Sequence, residues 1–354
     1  MSIIRVVVAD DSVVFRTLMR DVLDSQSGIE VVSACTNGEQ AVKETLRLKP
    51  DVIVMDAEMP VLDGISALKQ IHAADPAMNV VMCSAFTTSG ARLTLDALSA
   101  GARGFVAKPA SGTPRENIAL IESELVPLIR SLAADTQPSS ADSVSRIRVK
   151  TPTDTLKLVP AGRDVIAIAI STGGPRALAD FLPGLPGDFP VPILIVQHMP
   201  PEFTKQLALR LDKACAIGVV EAEQGMAIEP GRAYIAPGDM HMEVERVGGA
   251  KTIRLHQGER ENSCRPSADP LFRSVAKAWG QRACALVMTG MGNDGVKGCE
   301  AIRSEFGAVI VQDLESSVVW GMPGAVVEHG LADAVVRLTD LAEALVVLTK
   351  RKEP

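Results

Sequence analysis

The chain has 354 residues, 47% hydrophobic and 22% charged, with a formal net charge of −7, which fits two globular domains rather than one core or a disordered chain. The acidic balance and the lack of a basic stripe exclude a duplex-DNA-binding module, and no apolar run approaches a membrane span. Asp10 and Asp11 come too early for a secretory leader, so a cytoplasmic protein with no nucleic-acid partner and no membrane insertion is expected.

From Met1 to about Ala134, short β-branched runs alternate with helical patterns, the signature of a parallel sheet wrapped by helices. Strands are predicted from Ile3 to Ala9, Ile29 to Ala34, Val52 to Met55, Val80 to Cys83 and Gly104 to Ala107. A last helix follows from Ile118, Ile121, Leu125, Leu128, Ile129 and Leu132, spaced three to four apart.

In an open parallel sheet, functional residues gather beyond the carboxyl ends of the strands. Asp10, Asp11, Asp56, Ser84 and Lys108 all fall there. Three carboxylates brought together repel one another unless a divalent cation lies between them, and a hard-oxygen site suits Mg²⁺. Asp56 is then placed to attack a phosphoryl donor, with Lys108 and the cation neutralising the transferred group. The Asp-Asp pair by itself reads first as a turn and cap pair. Polar residues at successive strand ends carry the argument further.

VVVADDSVVFR, DVIVMDAEMPVLDG and GFVAKP, in that order and spacing, make residues 1–130 resemble the receiver domain of bacterial response regulators. The resemblance implies a flavodoxin-like fold in which Asp56 is the phosphoacceptor and Asp10, Asp11 and Asp56 are metal carboxylates. It further implies the backbone carbonyl of Glu58 as a metal ligand, Ser84 as the switch hydroxyl and Lys108 as the phosphate contact. Phe105 would be the aromatic that moves with the switch, and Pro109 a cis-proline.

Residues 131–160 turn rich in Ser, Thr, Pro and Asp, lose periodicity and read as a linker. From Arg163 a second alternation begins: Val165 to Ile170, a helix from Pro175, Ile193 to Gln197, a helix near Phe203 to Leu211, and Ala283 to Met288 followed by a helix. Between these, Arg232 to Ala236, Met240 to Val244 and Lys251 to Leu255 are split by Gly-Asp and Gly-Gly turn signals. A second doubly wound parallel sheet carrying an antiparallel hairpin is expected.

Ser171 ends the run VIAIAI and precedes Thr-Gly-Gly-Pro, a tight turn into a helix whose N–H groups can hold an oxyanion. His198 ends ILIVQ, and Asp294 lies in a glycine-rich turn after ALVMT. A serine hydroxyl attacks only when an imidazole takes its proton and a carboxylate balances the imidazolium. Each of the three alone reads first as a turn, cap or packing residue; together they read as a triad. From the residues alone a second half that only binds, with STGGP as an anion nest, is the alternative.

ISTGGP, IVQHMP, YIAPGDMHM, RPSADPLFRSVA and VMTGMGNDG make residues 161–350 resemble the catalytic domain of the chemotaxis protein-glutamate methylesterases. The resemblance implies Ser171 as nucleophile, His198 as general base and then acid, and Asp294 as its orienter. Thr172 would steady the imidazole and the Met291 N–H would serve the oxyanion hole. It implies hydrolysis of glutamate γ-methyl esters, and deamidation of glutamines, on the cytoplasmic helices of chemoreceptors. A chemotaxis histidine kinase would be the phosphodonor, Mg²⁺ would act in the receiver, and the esterase would need no cofactor. Outside these roles, His241 and His256 read as surface or packing groups, and Asp269 with Pro270 as a helix cap and first turn. The six cysteines read as reduced, mostly buried thiols.

Overall fold

Continuous apolar runs such as VIVMD and VIAIAI leave a strand no face for solvent, and both are buried along their whole length. They are strands β3 (Val52–Asp56) and β6 (Val165–Ile170) in a computed structural model that describes residues 3–85, 87–108, 117–119, 121–135 and 159–350. The chain divides into two compact units, Met1–Arg146 and Ile147–Pro354.

In the first unit the order is β1 (Ile4–Ala9), α1 (Val13–Asp24), β2 (Ile29–Cys35), α2 (Gly38–Leu48), β3 (Val52–Asp56), α3 (Gly64–Ala74), β4 (Asn79–Ala85), α4 (Thr88–Ser99) and β5 (Gly104–Lys108), then a π-helical turn (Ile121–Leu125) and α5 (Val126–Asp135). The helices α1 to α4 start where Ser12, Asn37, Asp63 and Thr87 accept a backbone N–H two or three residues into the first turn. The strands pair in parallel in the order β2-β1-β3-β4-β5. That order reverses between β1 and β3, which opens a crevice at their carboxyl ends. Two details differ from the sequence reading. The last helix is entered through a π turn, beside Pro127, which has no N–H to give to the helical ladder. It runs on to Asp135, past the expected start of the linker, because Leu132 and Ala133 are still buried. Pro109 and most of the linker, 136–158, lie outside the described residues.

The second unit runs β6 (Val165–Ile170), α6 (Gly174–Phe181), β7 (Ile193–Gln197), α7 (Pro201–Ala214), β8 (Gly218–Glu221), β9 (Arg232–Ile235), β10 (His241–Val247), β11 (Ala250–His256), α8 (Ala268–Trp279), β12 (Ala283–Val287), α9 (Val296–Ser304), β13 (Ala308–Gln312), α10 (Gly321–Glu328), β14 (Ala334–Val336) and α11 (Leu341–Thr349). Seven strands form a parallel sheet in the order β14-β13-β12-β6-β7-β9-β8. The first strand, β6, lies inside it, so the order reverses between β6 and β12.

The antiparallel hairpin β10–β11 forms its own two-stranded sheet. Its turn is Gly248 and Gly249, both at positive φ, as a tight two-residue hairpin requires. The hairpin is tied to α8, where Ser274 Oγ accepts the Val244 N–H and the Ala278 carbonyl accepts from Arg246. No helix among the described residues is long and apolar enough to cross a membrane.

Candidate functional sites

In the first unit, Asp10 and Asp11 follow β1 and Asp56 closes β3, so all three stand at the reversal point of the sheet. One carboxylate oxygen from each lies within 4.8 Å of the others. Asp10 and Asp56 are buried and Asp11 is exposed. Lys108, ending β5, reaches across β4: its Nζ is 2.6 Å from Asp10 Oδ2 and 2.5 Å from Asp56 Oδ2. The loop after β3 folds tightly back, and a side chain at Gly64 would put its Cβ 2.0 Å from the Asp56 carbonyl. Only glycine fits there. Ser84 Oγ is buried and donates to the Gly90 carbonyl at 3.0 Å, which ties the end of β4 to the first turn of α4.

Burial pushes the Asp56 carboxyl above the ordinary aspartate range, against the pull of the Lys108 ammonium. Burial also disfavours the ammonium, but Asp10 and Asp56 outweigh it and the Lys108 pKa is raised. Lys108 bonds both buried carboxylates, while Arg16 donates to the backbone carbonyls of Asp10 and Asp11. Phe15, to which the sequence reading gave no role, lies under Lys108 with its ring centroid 5.0 Å from Nζ. Phe105 is half-buried on β5. Glu58 is exposed, and its N–H helps hold the Asp56 carboxylate.

In the second unit, Ser171 and His198 follow directly on the paired residues Ile170 and Gln197, and the His198 N–H donates to the Ile170 carbonyl at 3.1 Å. The two residues thus stand side by side at neighbouring strand ends. Gln197, unassigned from sequence, fixes them: its buried amide Nε2 donates to the carbonyls of Ser171 (3.0 Å) and His198 (3.3 Å). Gly174 makes room for that amide, since a Cβ there would lie 1.9 Å from Gln197 Oε1. On the other side, the Ser171 N–H donates to the Thr289 carbonyl, and Thr289 Oγ1 donates to the Thr172 carbonyl. Gly290 passes so close that a Cβ would lie 2.8 Å from that of Ser171. The next N–H, that of Met291, has no acceptor among the described residues.

Asp294 enters from the turn after β12. Its Oδ2 lies 2.7 Å from His198 Nε2 and accepts the Ala268 N–H, while Oδ1 accepts from Ser267 Oγ and Asn262 Nδ2. Only 2% exposed, this carboxylate is held by donors at the positive start of α8. Desolvation opposes the charge, but the bonds from His198, Ala268 and Ser267 hold the Asp294 pKa down at about 2. Burial likewise opposes an imidazolium at His198, and the bonds to Asp294 and Cys264 outweigh it, raising that pKa to about 10.

Of the expected residues, the fold joins His198 to Asp294 and places Ser171 at the neighbouring strand end, with no hydrogen bond between the Ser171 and His198 side chains among the described residues. It does not join Thr172 to the imidazole: no bond links their side chains among the described residues, and His198 Nδ1 faces Cys264 Sγ at 3.8 Å. The cap of α8 is Ser267 rather than Asp269. Asp269 lies in the first turn, buried, accepting from Asn262 Nδ2 and the Gly298 N–H, with its pKa raised by burial. His241 is a packing histidine, 1% exposed, with Nε2 against the Glu259 carbonyl and Nδ1 accepting the Ser267 N–H.

The CheB methylesterase family pattern matches residues 166–345, and that of the response regulator receiver domain matches residues 6–118. A protein-glutamate methylesterase/protein-glutamine glutaminase of Trichodesmium erythraeum is 43% identical over 349 residues, covering 97% of this chain and 98% of its own length. One of a group 2 operon in Rhodospirillum centenum is 42% identical over 373 residues, covering 98% and 94%. The crystal structure of the Thermotoga maritima CheB methylesterase catalytic domain is similar at 41% identity and a TM-score of 0.51, over 52% of this chain and 98% of that one. With both domains matched in order and relatives aligned along nearly its whole length, the chain belongs to the protein-glutamate methylesterase/protein-glutamine glutaminase family.

Proposed function

We propose that the chain is a serine-type esterase, acting in the cytoplasm, that demethylates glutamate γ-methyl esters and deamidates glutamines on chemoreceptor helices, under control of phosphorylation at Asp56. The observation that carries this reading is the bond of His198 to the buried Asp294, at the strand end next to Ser171 and at the reversal point of the sheet. With Nε2 committed to Asp294, His198 takes the Ser171 proton at Nδ1 as Oγ attacks the ester carbonyl carbon. The Met291 N–H steadies the oxyanion, and Thr172 lines the turn beside it. His198 then gives its proton to the departing methoxide, releasing methanol and leaving an acyl-serine. Water, losing its proton to the same nitrogen, attacks that ester and restores Ser171 and a free glutamate.

In the receiver, Asp10, Asp11, Asp56 and the Glu58 carbonyl would hold Mg²⁺. Three convergent carboxylates that one lysine leaves incompletely neutralised are the hard-oxygen donor set that ion takes. When bound, it supplies positive charge for the incoming phosphoryl group. Asp56 attacks the phosphorus of a phosphohistidine on the partner kinase as the phosphorus–nitrogen bond breaks and the kinase imidazole leaves; Lys108 exchanges carboxylate for phosphoryl oxygen, and Ser84 leaves the Gly90 carbonyl for the same group.

Ser171→Ala should lower methanol release from methylated receptor by about 10³-fold or more while Asp56 still takes phosphate from acetyl phosphate. Persistent release would end the serine assignment. Asp56→Asn should remove any rise in turnover on adding the phosphodonor, and a rise that survived would uncouple the two units.

A further inference from the structure

His241, the first residue of β10, is buried opposite His256 of β11, and both of its ring nitrogens have a partner. Nδ1 faces the Ser267 N–H at 3.2 Å and Nε2 faces the Glu259 carbonyl at 2.9 Å. An amide N–H can only donate and a carbonyl can only accept, so the tautomer with its proton on Nε2 meets both. A residue that only filled space would need neither bond. What the first bond holds is the junction that grips the Asp294 carboxylate. Ser267 Oγ donates to Asp294 Oδ1 at 2.6 Å, and the next N–H, that of Ala268, donates to Oδ2 at 2.7 Å. His241 therefore anchors the backbone nitrogen just ahead of both grips, and Asp294 Oδ2 in turn meets His198 Nε2. Two residues upstream the chain is fastened independently: Asp239 accepts from Arg265 Nε and Nη2 at 2.9 and 2.7 Å, and its N–H donates to the Arg265 carbonyl. Loss of the His241 bond thus loosens the junction without detaching the loop that leads into it.

We propose that His241 is a positioning residue of the esterase: its Nδ1 fixes the Ser267 amide, and through Ser267 and Ala268 it sets the Asp294 carboxylate against the His198 imidazole. The role deepens the function proposed above and rests on it. Two substitutions separate positioning from packing. Asn brings its amide oxygen near the place of Nδ1, so it keeps the bond from the Ser267 N–H and gives up the Glu259 carbonyl. Gln brings its amide nitrogen near the place of Nε2, so it keeps Glu259 and gives up Ser267. Gln also fills more of the ring's volume than Asn, so a residue that mattered only by packing would tolerate Gln better. Positioning predicts the reverse order.

The test measures methanol release from methylated receptor by full-length variants and, in the same proteins, the pH titration of the His198 ring by NMR, which needs no turnover. His241→Gln should lower kcat by about tenfold with KM little changed, and His241→Asn should stay within about threefold of wild type. Added to Asp294→Asn, His241→Gln should cost no more than about a further twofold, because the two substitutions act on one interaction. The His198 titration should move to lower pH in His241→Gln, since a carboxylate displaced from the imidazole supports its charge less, and should hold its place in His241→Asn. Ser267→Ala removes the intermediary hydroxyl and leaves the ring in place; it should move the titration the same way, which keeps the test open should His241→Gln not fold. Gln tolerated as well as Asn, a full tenfold loss on top of Asp294→Asn, or a His198 titration unmoved by Ser267→Ala would overturn the inference even with Ser171→Ala inactive. Methanol release surviving in Ser171→Ala would instead strike the serine assignment, with the His198 titration still reading the positioning.

Discussion

Both units place their chemistry at the point where a parallel sheet reverses its strand order, yet the two sites are finished to different degrees. Between β1 and β3, Asp10, Asp11 and Asp56 share one lysine, and the Asp56 carboxyl remains above its ordinary range. Between β6 and β12, the Asp294 carboxylate is met by His198, Ala268, Ser267 and Asn262 and is held far below its range. The first sets three carboxylates against one lysine side chain. The second carries its balance within the fold, as preorganised catalysis requires.

The largest expected effect tests that internal balance. Asp294→Asn should lower kcat by about 10³-fold or more, and it should also move the pH profile. A raised His198 pKa means the base form is gained as pH rises, so wild-type kcat/KM should climb with pH and the climb should shift to lower pH in the variant. An unshifted profile would show that Asp294 does not set the imidazole's charge. Next, Lys108→Ala leaves two buried carboxylates facing each other and should destabilise the receiver by about 3 kcal/mol at neutral pH. Mg²⁺ should restore most of it, because an ion that binds only the folded state stabilises it. Denaturant unfolding with and without the ion checks this, and loss without rescue would break the contrast between the sites.

Smaller again, Gln197→Met strips the donor from two strand-end carbonyls and should cost about 2 kcal/mol, with kcat down by about tenfold and KM little changed. A further effect is on stability against pH. His198, raised, contributes fully below its unfolded pKa and loses that contribution as pH rises through about 10; Asp294, lowered, contributes above its unfolded pKa and fails as pH falls through about 2. Their joint contribution should be complete from about pH 4 to about pH 6.5, and Asp294→Asn should flatten it.

Much of this architecture is legible in the chain, and for a physical reason. Strands buried on both faces are written as unbroken apolar runs, and a polar residue at the end of such a run has only the sheet's rim to occupy. Asp10, Asp56, Ser171 and His198 were visible on that ground. Short strands were not: GVVE at β8 and AVV at β14 are too brief to carry a period. Nor were the partners that tune the site. Asn262 and Ser267 meet Asp294 across about thirty residues of chain, a contact no local pattern encodes. At α8, Asp269 beside Pro270 made a plausible cap, but Ser267 holds the extended backbone that a cap needs.

Helix α8 joins two things that look unrelated. Its start grips the Asp294 carboxylate through Ser267 and Ala268, and its later turns hold the β10 edge through Ser274 and Ala278. The helix is one unbroken run of 12 residues. The outer ribbon and the Asp294 carboxylate therefore hang on one common support, and a change that shifts this helix bears on both.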